Sequence, residues 1–248
     1  MQFAVHALDA TDSTQSDVQR LAAEGAPEGT VVTARHQRAG RGRRGHEWWD
    51  APGESLLVSV LLRPSAPPAT APQLSLVGGL VVAEALAGFG VTARIRWPND
   101  LLVDGRKVCG ILADAASDGA GRLHHVILGI GVNLNQSGFP AALAERATSL
   151  RLVTGRAHDA ALVLDAVLAH LAPRYAAWQA GGFAALREAW LAHAGLSGQV
   201  VRLPDGTRGV AESVGDDGVL RARAGDGRLV PVASGGAMEE ETAHAAGH

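Results

Sequence analysis

The chain is nearly without cysteine and lysine, and each shortage narrows what it can be. One cysteine, Cys109, in 248 residues excludes an intrachain disulfide and fits a reducing compartment. The opening MQFAVHALDATD has no basic stretch leading into a long apolar run, so no secretory signal is expected. Uninterrupted apolar runs fall short of the ~18 residues of a membrane span. A cytoplasmic, soluble protein without a membrane partner is the expectation. The net charge of −3 makes no composition-level case for nucleic acid. Hydrophobic residues, at 47%, are enough for a sizeable core, and the length suits one large domain with a small one beside it.

The lysine shortage is the sharpest. Of the 22 Lys+Arg, only Lys107 is lysine, and the other 21 are arginine. Codon bias accounts for a general preference for arginine. The surviving lysine nevertheless sits in the most motif-like part of the chain, where a compact ammonium differs chemically from a planar fork.

What is abundant is concentrated. Arg38 to Gly45 packs four arginines and three glycines into eight residues, within Gln37–Trp48. Glycine gives backbone freedom, and guanidinium groups pair with phosphates and carboxylates. The segment reads as a loop that is loose alone and ordered over an acidic ligand. It is neither a Walker-type phosphate loop nor a dinucleotide fingerprint, because its GxGxxG spacing carries arginines and no apolar helix follows. A solvated basic loop and a nucleic-acid tether remain open readings of the loop alone.

The periodicity predicts strands at Phe3–Leu8, Thr30–Ala34, Leu56–Leu62, Ala93–Trp97 and Leu123–Leu134. A helix is expected from Asp12-Ser13-Thr14 to about Glu24, a buried one over Gln73–Phe89, and amphipathic ones over Ala160–Gln179 and Phe183–His193. Ser137–Arg156 reads as irregular or short helix. Leu101–Val103 and Arg106–Ala113 form a hairpin about Asp104-Gly105. After Gly195 four short strands, Val200–Leu203, Arg208–Val214, Val219–Arg223 and Leu229–Val232, predict a small β-barrel with its own core. The domain expectation is therefore 1–195, 196–237 and an unstructured tail over 238–248.

Arg96-Trp97-Pro98-Asn99-Asp100 brings an aromatic, a rigid turn, an amide and a carboxylate together. By default Asn99 and Asp100 are turn residues. Lys107, seven residues past Asp100, returns on the second hairpin strand near that carboxylate, and an apolar strand makes it need an anionic partner or an exposed end. Cys109 is read as core packing, His124 and His125 as strand-edge residues, and no His/Cys cluster has zinc spacing. Glycines in Gly129-Ile130-Gly131 suggest close backbone approach.

Gln37–Trp48 with its GRGRRG core, RWPND at 96–100, KVCGIL at 107–112, GIGVN at 129–133 and Asp12-Ser13-Thr14 stand in the order found in biotin protein ligases (biotin–[acetyl-CoA-carboxylase] ligases), and the chain resembles that family along nearly its whole length. It departs at Arg96, where the family often has lysine, at Gln15, where asparagine commonly follows Ser-Thr, and in Trp48-Trp49-Asp50-Ala51-Pro52-Gly53. The resemblance implies an α/β (α+β) fold: a central mixed sheet with helices, related to class II synthetase and lipoate ligase cores, and an SH3-like C-terminal barrel. It implies ATP-dependent conversion of biotin to biotinyl-5′-AMP, with Mg²⁺, then transfer to a lysine of a biotin carboxyl carrier domain of acetyl-CoA or a related carboxylase.

On that resemblance Ser13, Thr14, Gln37, Gly40, Arg41, Lys107, Gly110 and Gly129 are expected around biotin. Arg43, Arg44, Trp48, Asn99, Lys107 and Asn133 are expected around the adenylate. Lys107, Arg41, Arg43 and Asp100 carry the chemistry, with Asp100 near Mg²⁺ or the incoming lysine. The chain begins at the catalytic domain, so the monofunctional type without DNA binding is expected. Pairing of two copies through their sheets is compatible with the family. The rivals are a lipoate or octanoate ligase on the same core, and a non-catalytic nucleic-acid module built on the arginine loop.

Overall fold

The computed structural model describes residues 1–118, 121–196 and 198–232, so the tail expected over 238–248 lies outside the described residues. The elements run β1 Ala4–Leu8, α1 Thr14–Ala23, β2 Thr30–Ala34, β3 Ser55–Leu62, α2 Gln73–Ala87, β4 Arg94–Arg96, β5 Asp100–Val103, β6 Arg106–Ser117, β7 Leu123–Asn133, α3 Leu150–Thr154, α4 Ala160–Gly181, α5 Arg187–His193, β8 Val200–Arg202, β9 Arg208–Val214, β10 Leu220–Ala224 and β11 Leu229–Val232.

Seven strands form one sheet in the order β1-β2-β3-β7-β6-β5-β4. β1 and β2 are parallel and the other neighbours antiparallel, which makes the sheet mixed, as expected. β3 is buried along its whole length, in keeping with its nearly continuous apolar sequence. The β5–β6 hairpin turns through Asp104 at φ 49° and Gly105 at φ 77°, the two positive values that a two-residue hairpin turn requires.

The core lies between this sheet and α2. Leu74, Val77, Leu80, Val81 and Leu86 are fully buried, and Gly78 lets the helix sit on the sheet, since a Cβ there would be 2.9 Å from Ile111. By length and composition alone, Pro68–Ala87 and α4 could cross a bilayer. α2 is instead enclosed by the core, and α4 packs through Val163, Val167, Leu171, Tyr175 and Trp178. α4 carries Pro173 within it. The single amphipathic helix expected over Phe183–His193 is a short 3-10 turn, Phe183–Ala185, followed by α5.

His124 and His125 lie at the start of β7, beyond its register with β3, which ends at Val126; His124 is exposed, while His125 pairs with Ala116 of β6 and is buried. At the C-terminal end the described residues form a small antiparallel sheet ordered β11-β10-β9-β8 from the four strands expected there. Its apolar face is continuous with the main core through Val201, Val214, Leu220 and Ala222. The β9–β10 turn meets the main sheet where Trp97 Nε1 donates to the Gly218 carbonyl at 3.2 Å.

Candidate functional site

A cleft with about 500 Å³ of empty space, partly open to solvent, lies where α1, the arginine loop and strands β3, β6 and β7 meet. Its two ends differ in chemistry.

One end is polar and uncharged. Ser13 and Thr14 start α1, Gln37 follows β2, and Ser59 lies within β3. The backbone N–H of Thr14 donates to Gln37 Oε1 at 2.9 Å, and Thr14 Oγ1 lies 3.1 Å from that oxygen and 2.8 Å from Ser59 Oγ. Ser13 and Thr14 are buried. Ser13 stands at the N-cap of α1, but its side chain makes no capping bond, so its hydroxyl is not spent there. Gln15 is buried behind them, with Nε2 donating to Asp114 and to the Ile127 carbonyl.

The other end is cationic. The arginine loop is a closed turn: Trp48 N–H donates to the Gly40 carbonyl at 3.0 Å and Gly42 N–H to that of His46 at 2.7 Å. Three of its arginines are tied by other segments, Arg38 through Nε to Asp12 Oδ1 at 2.9 Å. Arg41 donates to Ser16 Oγ at 2.7 Å and Arg43 to Asn99 Oδ1 at 2.8 Å. Arg43's pKa is lowered by burial and by neighbouring Arg44, against the pull of Asp100. A guanidinium so placed gains from an incoming anion.

Lys107 projects from the start of β6 to within 2.7 Å of Asp100 Oδ1, while Arg96 takes Oδ2 at 2.7 Å. Burial pushes the Asp100 carboxyl up, yet Lys107 and then Arg96 hold it below the ordinary carboxylate range. The Lys107 ammonium also lies 5.6 Å from the centre of the Trp48 ring, within reach of a cation–π attraction. Trp48 rests flat enough on the sheet that Cβ atoms at Gly110 and Gly131 would come within 2.9 and 2.7 Å of its ring.

Of the residues singled out from sequence, the structure brings Ser13, Thr14, Gln37, Arg41, Arg43, Trp48, Asn99, Lys107, Gly110 and Gly129 to this one cleft. Gly40 is buried just behind it, under Trp48 and Gln37 Nε2. Four expectations need correction. Asn133 does not face the cleft: its Nδ2 donates to the Thr148 carbonyl at 2.9 Å and it is buried there. Arg44, at φ 56° in the loop's short 3-10 turn, is exposed and outside the lining. Gly129 lines the cleft, but its missing Cβ makes room for Gln15, since a Cβ there would be 2.5 Å from Gln15 Oε1. Asp100 sits behind Lys107 with both oxygens engaged, and no group of three metal-ligating side chains occurs among the described residues.

Ser59, Gln15 and Gly131 are not singled out as site residues by the sequence: Gly131 suggests only close backbone approach, and Gln15 only a departure from the family pattern. Gly131 carried a signal, being two residues past Gly129 and so on the same face of the strand. Ser59 did too, as a hydroxyl set between apolar residues in the middle of a buried strand.

A neutral hydrogen-bonding frame at one end of a cleft and fixed cations at the other define an enzyme that holds a small polar-headed acid against a phosphate. The chain belongs to the biotin/lipoate A/B protein ligase family, whose model matches residues 7–133. It is 40% identical over 236 residues to a biotin–[acetyl-CoA-carboxylase] ligase of Paracoccus denitrificans, covering 90% of this chain and 95% of that one. It is 36% identical over 225 residues to a bifunctional ligase/repressor of Bacillus spizizenii, covering 88% of this chain and 69% of the relative. Among solved structures it resembles biotin protein ligase from Aquifex aeolicus in complex with biotin and ATP. The TM-score is 0.83 at 28% identity, covering 95% of this chain and 98% of the other.

Proposed function

We propose that this protein activates biotin with ATP and transfers it to a lysine of the carboxyl carrier domain of acetyl-CoA carboxylase. The observation that carries the reading is the two-ended cleft. A cyclic urea carries N–H donors beside a carbonyl acceptor, and the Thr14, Ser59 and Gln37 frame offers oxygens and an amide N–H₂ with no charge. Lipoate has no such polar head, and the frame would leave hydrogen-bonding groups unpaired against it, the kind of mismatch that discriminates strongly.

In the first step a biotin carboxylate oxygen attacks the α-phosphorus of ATP. A carboxyl–phosphorus bond forms, the bond to the bridging oxygen breaks, and pyrophosphate leaves with that electron pair. Two anions must meet, so the rate comes from position and charge. Lys107, fixed by Asp100, faces the carboxylate and the α-phosphate. Arg41 and Arg43 follow the phosphates, and closure of their loop keeps water from the mixed anhydride. Trp48 forms a wall beside the nucleotide. Mg²⁺, where it accompanies the phosphates of ATP, would offset their charge, as is usual for this ion. In the second step the carrier's lysine amine attacks the acyl carbon, the amide bond forms, and AMP leaves.

Incubation with biotin, MgATP and an apo carrier domain tests the reading by intact mass. One biotinyl group on one lysine is expected. An unchanged carrier mass overturns it.

A further inference from the structure

Gln15 stands where the first segment of the site meets the sheet, and its hydrogen bonds run in one direction only. Its Nε2 faces two acceptors, Asp114 Oδ2 at 3.1 Å and the Ile127 carbonyl at 3.0 Å. These two residues are directly opposite each other on β6 and β7, so the amide clamps one rung of the sheet. With both amide hydrogens spent there, Oε1 has to accept, and Ser59 Oγ donates to it at 3.0 Å. Ser59 has a single proton. Its oxygen can then only accept from Thr14 Oγ1, 2.8 Å away. Gln37 is oriented from the other side, because the backbone N–H of Thr14 requires its Oε1.

Gln15, Ser59 and Thr14 are respectively 4%, 1% and 3% exposed. Water therefore does not scramble this order. Gly129 keeps the amide's place open, as noted above.

We infer that Gln15, anchored on Asp114 and the Ile127 carbonyl, is a positioning residue that fixes the donor–acceptor polarity of the cleft's uncharged end. It commits the Ser59 proton, so the one Thr14 proton is spent within the frame, on Ser59 Oγ with Gln37 Oε1 also in reach at 3.1 Å, and Thr14 meets a ligand as an acceptor beside the Gln37 amide donors. That pairing selects a ligand head with an N–H next to a C=O. The inference rests on the biotin reading of the same cleft. Gln15 acts through Ser59 and Thr14.

The test is steady-state ATP–pyrophosphate exchange with Gln15→Met, which keeps the side-chain length and removes the amide. Freed from Gln15, the Ser59 proton can turn to Thr14, where it occupies one of the two oxygen lone pairs and releases the Thr14 proton, so Thr14 is a poorer acceptor for a ligand N–H. One such hydrogen bond corresponds to a rise of about tenfold in the KM for biotin, with the KM for ATP and kcat held within about twofold. Combined with Ser59→Ala, the two effects overlap instead of multiplying, because both break one relay. A residue that merely supports the fold would raise both KM values or lower kcat, and that outcome overturns the inference. So does a biotin KM within about twofold of wild type, or multiplying effects.

Should Gln15→Met fail to fold, Asp114→Leu at the exposed end of the relay takes its place. A rise of about threefold in biotin KM alone is then expected, and an unchanged value overturns the inference. A wild-type protein without biotin-dependent exchange refutes the biotin reading and this inference together. Normal wild-type exchange with an unaffected variant refutes this inference alone.

Discussion

Replacing Lys107 with arginine keeps the charge and tests whether position matters. The ammonium is held at three points. Asp100 Oδ1 is 2.7 Å away, the Trp48 ring centre is 5.6 Å away, and a Cβ on Gly110 would be 3.1 Å from Nζ. There is no spare room on the Gly110 side for a planar guanidinium. Arginine would have to turn towards Asp100 as a fork, or out of the cleft, and in either pose it no longer follows the oxygens at the α-phosphorus. Loss of one preorganised donor to developing charge costs about 2.7–4 kcal/mol, or about 10²–10³ in kcat. Asp100 keeps Arg96 at 2.7 Å, so the buried carboxylate remains paired and the thermal midpoint should move by only a few degrees. The assay is biotin-dependent ATP–pyrophosphate exchange beside a thermal melt. Exchange within about threefold of wild type would refute the argument that Lys107 works as a fixed point charge.

Gly131→Ala should lower stability by about 1–3 kcal/mol through overpacking, because its Cβ would lie 2.7 Å from the Trp48 ring. In a Trp48→Ala background the same change should be nearly neutral in urea denaturation, and an equal loss in both backgrounds would count against the contact. Asp100→Asn should destabilise by about 1–3 kcal/mol, discounted because Lys107 and Arg96 are partly exposed. The folded pKa of Asp100 lies below its ordinary value. Its contribution is therefore complete above about pH 3.9 and fades only as the pH falls further. The wild-type-minus-variant difference should stay flat between about pH 5 and 8, and a difference that shrinks within that window contradicts the pairing. Cys109 is fully buried and its thiol pKa is raised by burial, so iodoacetamide should label it only after unfolding; fast labelling of the native protein would show that the strand opens.

Much of the fold was legible because apolar periodicity and turn chemistry agree along the chain. The Asp104-Gly105 hairpin, the nearly continuous apolar β3 and the glycine-terminated α2 are local consequences of local residues. The C-terminal strands were legible one by one, but the merging of their apolar face with the main core was not, since it depends on contacts between segments far apart in sequence. Phe183–His193 read as one helix because periodicity does not show the 3-10 turn at its start.

At the site, residue types gave the chemistry and missed the partnerships. Lys107 was placed near Asp100 by hairpin register alone, and the structure puts them in contact. Asn133 and Gly129 were misread because a motif residue can serve the frame that holds the site. One pairs with the Thr148 carbonyl, the other gives way to Gln15, and both relations link segments far apart in sequence. Gln15 and Ser59 were missed as site residues for the same reason, since their meaning lies in each other.

The most direct measurement is ATP–pyrophosphate exchange run with biotin, with lipoate and with neither acid. The account predicts exchange with biotin alone. Exchange with lipoate at a comparable rate, or no acid-dependent exchange at all, would contradict it.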